Sequence, residues 1–207
     1  MFPDARSAVS VPPGAAQAVE QVLADAGPPD TAVFDAAVAE RLANAVAEPL
    51  SRAGLEVTGQ KWADLCFACN ASLLRPHSHD ACERLVDDRI PPAEGLRLPE
   101  HCFPDGIVYG IVVDGEVASY AFAHPGGPME AQAPDLGVVT APAHRRRGYA
   151  RAVVSAVVEH ITGNGGEARY VCRPDNAASI ATAKAVGFVP HDASLVIAAG
   201  PRAPSSE

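Results

Sequence analysis

Leu136-Gly137-Val138-Val139-Thr140-Ala141-Pro142-Ala143-His144-Arg145-Arg146-Arg147-Gly148-Tyr149-Ala150 passes from an apolar run, through a proline break and a basic turn, into a helical pattern. Apolar residues then recur at Ala150, Val153, Val154, Val157, Val158 and Ile161, which is one face of a helix. The spacing predicts a strand, a tight turn and a helix over about Gly148 to Thr162, stopped by Gly163-Asn164-Gly165-Gly166. The turn sets Arg145-x-x-Gly148-x-Ala150 at the helix N-terminus, where unbonded N–H groups and the positive end of the helix dipole collect. Such a place suits a phosphate or pyrophosphate. Gly148 and Ala150 lack bulk, so a ligand can approach the main chain. Arginines oppose the dipole at a helix start, so three in a row there call for an anionic partner.

Upstream, Ile107 to Val113 is β-branched and apolar, Asp114-Gly115 is a hairpin signal, and Glu116 to Ala123 returns as a second strand. His124-Pro125-Gly126-Gly127-Pro128 reads as a turn. Met129 to Thr140 supplies a third strand with an irregular start at Pro134. Downstream come a strand at Ala168 to Cys172, a helix at Ala177 to Val186 with Gly187 just past its end, and a last strand at Ser194 to Ala199. Strand pair, strand, helix, strand, helix, strand implies an α/β layout with a mixed sheet.

The first half has another texture. Residues 1–14 read as a flexible lead-in and residues 15–100 as a mostly helical region. Residues 101–199 form the core that carries the motifs, and 200–207 a tail. Ala15 to Ala26 is helix-compatible, and Phe34, Val38, Leu42, Val46 and Leu50 mark a second helix ending near Pro49 to Gly54. Leu55 to Thr58 reads as a short strand, Trp62 to Leu74 and Asp80 to Asp88 as two more helical pieces, and Pro91 to Pro104 as loop.

The chain has 207 residues, 48% of them apolar, and a formal net charge of −9. The apolar share supports a sizeable core. The negative balance argues against nucleic acid as a partner and mildly favours a cationic one such as an amine. No run approaches the ~20 apolar residues of a spanning helix, so no membrane role is expected. Five cysteines with no secretory signal point to reduced thiols and a cytoplasmic setting.

The loop Arg145-x-x-Gly148-x-Ala150 after a short apolar strand resembles the pyrophosphate loop of the GNAT superfamily of acyl-CoA-dependent N-acyltransferases. Asn176-Ala177-Ala178-Ser179, a short helix, then Gly187-Phe188 resembles the closing motif of the same superfamily. The two stand in the right order with one helix and one strand between them. The resemblance covers roughly residues 105–190. Within the superfamily the pattern most resembles the subfamily that includes the zwittermicin-resistance acetyltransferases. It implies a GNAT-like, mostly antiparallel sheet with flanking helices, and acetyl-CoA as co-substrate with no metal. It also implies transfer of an acetyl group to a primary amine of a small molecule, with a homodimer as an open option. A catalytically silent acyl-CoA-binding or interaction module is the alternative.

Residue by residue, the resemblance implies that the N–H groups of residues 146–151 hold the pyrophosphate. Arg145, Arg146, Arg147, Gly148, Tyr149, Ala150 and Arg151 form that loop. The family usually has a second Gly where Arg146 stands, which implies a slightly altered loop. Val138, Val139 and Thr140 would pair with the pantetheine arm as another strand does. Asn176 would cap the last helix and meet the cofactor arm, or cap and do nothing more; Ser179 is similar.

An alkylamine of pKa about 10.4 must lose a proton to attack, and a departing thiolate of pKa near 8.5 benefits from a donor. An N–H on the strand around Val138 would meet the oxyanion. Asp135, on the strand inside an apolar run, is the candidate base, with a water-facing strand residue as the competing reading; Glu130 and His124 are second choices. The family's usual acid is a Tyr on the last helix, but Ala183 stands there, so Ser179, Thr182, Tyr149 or a water remain as donors. Cys66, Cys69, His77, His79, Cys82, His101 and Cys102 have the types of a zinc site, but the apolar context of Cys66 and Cys69 reads as core.

Overall fold

The computed structural model describes residues 12, 14–26, 36–99, 103, 106–123 and 135–201. The chain divides into two compact units, Met1–Leu65 with His191–Glu207, and Cys66–Pro190.

In the first unit, α1 (Ala16–Ala26) and α2 (Ala36–Arg52) pack through the expected stripe. Val38, Leu42, Val46 and Leu50 meet Ala15 and Val19, with Val22, Leu55, Val57 and Ile197 at the margin. The stripe repeats every four residues, so burying it forces the helix against a neighbour. Strand β1 (Leu55–Cys69) starts here and lies beside β7 (Val189–Pro201). The Thr58 hydroxyl donates to the Ala198 carbonyl at 3.2 Å.

The second unit carries the motifs. Its sheet runs β2 (Cys82–Arg84), β3 (Ile107–Val113), β4 (Glu116–Ala123), β5 (Asp135–Thr140), β6 (Ala168–Cys172), with the end of β1 next to β6. Each of the first four strands runs antiparallel to the next, and β5 and β6 are parallel. This is the mixed α/β layout that the element order implied, and its mostly antiparallel sheet is the one that the resemblance implied. Helix α3 (Tyr149–Gly163) buries Val153, Val154, Val157, Val158 and Ile161, and α4 (Ala177–Val186) follows β6. A second cluster gathers Leu85, Ala93, Leu96, Leu98, Val108, Val117 and Tyr120. No helix among the described residues is long and apolar enough to cross a membrane.

The hairpin turn is where it was expected. Asp114 and Gly115 both take positive φ, 52° and 83°. That left-handed pair matches the twist of the flanking strands. A Cβ on Gly115 would meet nothing within 4 Å. Gly115→Ala is therefore expected to lose about 1 kcal/mol, the conformational cost alone, in a urea unfolding comparison.

Two expected helices are corrected. Residues 62–69 belong to strand β1, and residues 80–88 hold the short strand β2. Cys66, Phe67, Ala68 and Cys69 are all buried, so the strand end is covered on both faces. A strand buried on both sides shows no alternation, and a short apolar run then reads as helix or strand alike. Strand β2 stays short at the sheet edge, and its neighbour Leu85 packs where Gly110 lacks a side chain. The expected short strand at Leu55 to Thr58 extends to Cys69. The expected strand segment from Met129 to Pro134 lies outside the described residues.

Candidate functional site

Strand β5 pairs with β4 over its whole described length, Leu136 opposite Ala123 to Thr140 opposite Ser119. With β6 it pairs only at Asp135–Arg169 and Leu136–Tyr170. Beyond Leu136 the two parallel strands separate, and among the described residues the β5 edge from Gly137 to Thr140 has no partner strand on that side.

The direction of the free groups follows from the ladder. The Ala141 N–H donates to the Ala118 carbonyl at 2.9 Å, which makes 118–141 a hydrogen-bonded pair. Such pairs alternate in an antiparallel ladder, so Tyr120–Val139 and Phe122–Gly137 are the next two. The N–H and C=O groups of Val138 and Thr140 therefore point away from β4, into the fork. The first outward N–H past the last rung is that of Val138. Val139 is 39% exposed, high for an apolar residue on an interior strand.

Both segments that leave the fork carry polar groups toward it, because parallel strands release their chains at the same edge. After β5, Pro142–His144 form a single 3-10 turn, Arg145 is extended, and Arg146 takes φ 60°. That is a left-handed conformation that a glycine adopts without strain, at the position where the resemblance puts a second glycine. Gly148, φ 85°, is the N-cap of α3 and makes no side-chain cap. The first helical bond is Ala152 N–H to Gly148 O at 3.2 Å. Among the described residues, no partner meets the amides of residues 146–151. Arg145, Arg146, Arg147 and Arg151 are exposed, and none pairs with a carboxylate among the described residues. Arg145 Nε donates to the Thr140 carbonyl at 3.4 Å, tying the loop to the β5 edge. Uncapped amides, the helix dipole and four arginines with no carboxylate partner among the described residues favour an anion there, in a chain of net charge −9.

The helix start is pinned from the side. Tyr149 stacks on His144 (centroids 6.2 Å, 23°) and meets the edge of His79 at 5.0 Å. The segment carrying His79 straps both helices. Arg75 N–H donates to Val186 O at 2.8 Å, and His77 Nε2 donates to Ala185 O at 3.1 Å. His77 N–H donates to the Ser155 hydroxyl at 2.9 Å.

After β6, Asn176 caps α4, its Oδ1 accepting from Ser179 N–H at 3.1 Å. The Asn176 NH2 has no partner among the described residues. Ala183 is fully buried on the same helix.

Of the expected catalytic groups, the Asp135 backbone opens β5, while its side chain, Glu130 and His124 lie outside the described residues. The sequence reading missed Tyr170. Its ring is 2% exposed on β6, with the hydroxyl buried beside Ser179. Burial raises its pKa, and a side-chain hydrogen bond with Ser179 opposes that rise. The signal was present: a Tyr in a five-residue strand that otherwise reads as core.

Among the described residues the cysteines do not gather with histidines or carboxylates into a metal-ligating group. Cys66 and Cys69 sit an odd number of residues apart on one strand, which puts them on opposite faces. The Cys66 thiol accepts from Arg169 at 3.4 Å. Burial, followed by nearby glutamates, pushes Cys69 and Cys82 up to about 11. No group of three or more metal-ligating side chains gathers among the described residues. His101 and Cys102 lie outside them.

The sequence model of the Acetyltransferase (GNAT) family matches residues 75–188, more than half of the chain. The chain belongs to that family. Its structure is similar to a GNAT-family acetyltransferase from Novosphingobium aromaticivorans, with a TM-score of 0.58 and 19% identity over 72% of this chain and 69% of that one. It is also similar to one from Colwellia psychrerythraea, with a TM-score of 0.54 and 15% identity over 68% of this chain and 57% of that one. At these identities the likeness speaks to the fold. No curated protein matches the chain.

Proposed function

We propose that the protein transfers an acetyl group from acetyl-CoA to a primary amine of a small molecule by direct attack. The observation that carries this reading is the fork beyond Leu136 beside six amides and four arginines that have no partner and no carboxylate, respectively, among the described residues. The amides of residues 146–151 take the pyrophosphate, with Arg145, Arg146, Arg147 and Arg151 adding charge. The outward groups of Val138 and Thr140 take the pantetheine arm as a strand edge takes a peptide. Asn176 offers its NH2 to the same arm, with Ser179 beside it. The Val138 N–H is aimed where the thioester oxygen develops charge. Asp135 accepts the proton of the amine, with Glu130 and His124 as second choices. A cytoplasmic setting and an acceptor that is neither nucleic acid nor membrane complete the proposal. The narrower likeness to the zwittermicin-resistance group finds no support in the relatives, so no acceptor is carried over from it.

The second reading, a silent acyl-CoA-binding module, rests on Ala183 in the family's usual acid position. Thiol release from acetyl-CoA with a panel of amines separates the two: CoA binding without release from any amine favours the silent module. Within the enzymatic reading, Asp135→Asn is expected to lower kcat/KM about 100-fold near pH 7, the usual weight of a general base. Full activity across pH 6–9 in that variant would remove Asp135 from the mechanism.

A further inference from the structure

We infer that the ring of Phe122 sets the size of the acyl group the site accepts, admitting acetyl and excluding butyryl and longer chains. This rests on the acetyl-transfer reading, which places the thioester but not the limit on its chain. The pyrophosphate loop follows Thr140, so the cofactor arm runs back along the β5 edge from Thr140 toward Val138. With the thioester oxygen at the Val138 N–H, the acyl carbons lead on toward Gly137 and the last rung, Leu136–Tyr170. There the two strands close up, and a longer chain has to leave the strand plane on one face or the other.

Leu136 and Val138 share one face of β5, and Gly137 and Val139 the other. In a parallel pair, residues opposite each other share a face, so Tyr170 stands with Leu136. That face is filled: Leu136, Tyr170 and Phe188 are all buried, and the two rings pack edge-on at 5.5 Å. The other face is open at Gly137, which carries no side chain. Phe122 lies opposite Gly137 on β4 and fills that space. A Cβ added to Gly137 would stand 2.5 Å from Phe122 Cε1 and 2.6 Å from Cζ, so the far edge of the ring lies across β5 at the fork. Arg169, on the same face of β6, is drawn the other way, its guanidinium donating to the Cys66 thiol on β1 at 3.4 Å. Phe122 is half-buried, with Tyr120 beside it at 6.1 Å and the cluster of Leu98 and Val108 behind. A ring backed by close-packed side chains does not swing aside cheaply, so each methylene pressed against it weakens binding in the transition state.

The test compares thiol release from acetyl-, propionyl- and butyryl-CoA with a panel of primary amines, in the full chain as wild type and as Phe122→Ala. Wild type is expected to use butyryl-CoA about 100-fold less well than acetyl-CoA in kcat/KM, with propionyl-CoA between them. Phe122→Ala is expected to raise the butyryl-to-acetyl ratio at least about 10-fold. The ratio is internal to each protein, so a general loss of stability lowers both donors alike and leaves it unchanged. Phe122→Leu keeps most of the packing beside Tyr120 and carries the test if alanine unfolds the protein; its ratio is expected to rise about threefold. Affinity for desulfo-CoA, by calorimetry, is expected to be unchanged in both variants, because no acyl group reaches the ring. Wild type that uses butyryl-CoA as readily as acetyl-CoA, or variants that keep the wild-type ratio, would overturn the role of Phe122 and leave acyl transfer standing. Wild type that releases thiol from none of the three donors with any amine would overturn the transfer reading and this inference with it.

Discussion

Replacing Gly187 by alanine is expected to lose at least about 3 kcal/mol of stability, a large part of the ~5–15 kcal/mol that holds a typical domain. Two separate effects combine. Gly187 ends α4 at φ 109°, a left-handed conformation that costs an L-residue about 1–2 kcal/mol. A Cβ built there would also lie 2.1 Å from the Leu73 carbonyl oxygen and 3.1 Å from the Arg75 nitrogen. Those are backbone atoms held in place, since Arg75 N–H donates to Val186 O and Asn70 Oδ1 accepts from Ser72 and Leu73 N–H. The strap cannot retreat without giving up these bonds. Chemical denaturation of Gly187→Ala against wild type measures the sum. A loss below 1 kcal/mol would mean that the segment does not sit as described.

Gly148→Val is expected to lower CoA affinity about 100-fold, near 2.7 kcal/mol at 1.4 kcal/mol per tenfold. The nearest atom to an added Cβ is Arg151 Nη2 at 3.6 Å, so the effect is conformational and not steric. A β-branched residue cannot hold φ 85°, and the turn that aims the amides of residues 146–151 must open. Gly163→Ala is the control: it lies at the other end of α3 with open space around it, and affinity should not change. Calorimetry on the two variants separates loop geometry from general loss of stability.

The second half of the fold was legible because each element carries its own punctuation. Asp114-Gly115 fixes a hairpin, Gly148 and Gly187 take the left-handed conformations that start and end helices, and the valine stripe of α3 repeats with helical period. The strand end at Cys66 to Cys69 was not legible, because burial on both faces erases alternation. The amides and arginines of the loop were readable from the turn. The fork was not: it is a ladder that stops after two rungs, a relation between residues 135–140 and 168–172 that neither segment shows alone.

The central claim is that the main-chain amides where the arginines enter α3 clamp a diphosphate. Backbone amide NMR during a titration with CoA tests it most directly. The account predicts large, saturable shifts at residues 146–151, with smaller ones at Val138 and Thr140 and none at the Asp114-Gly115 turn. Saturating CoA that leaves the 146–151 resonances in place would contradict it.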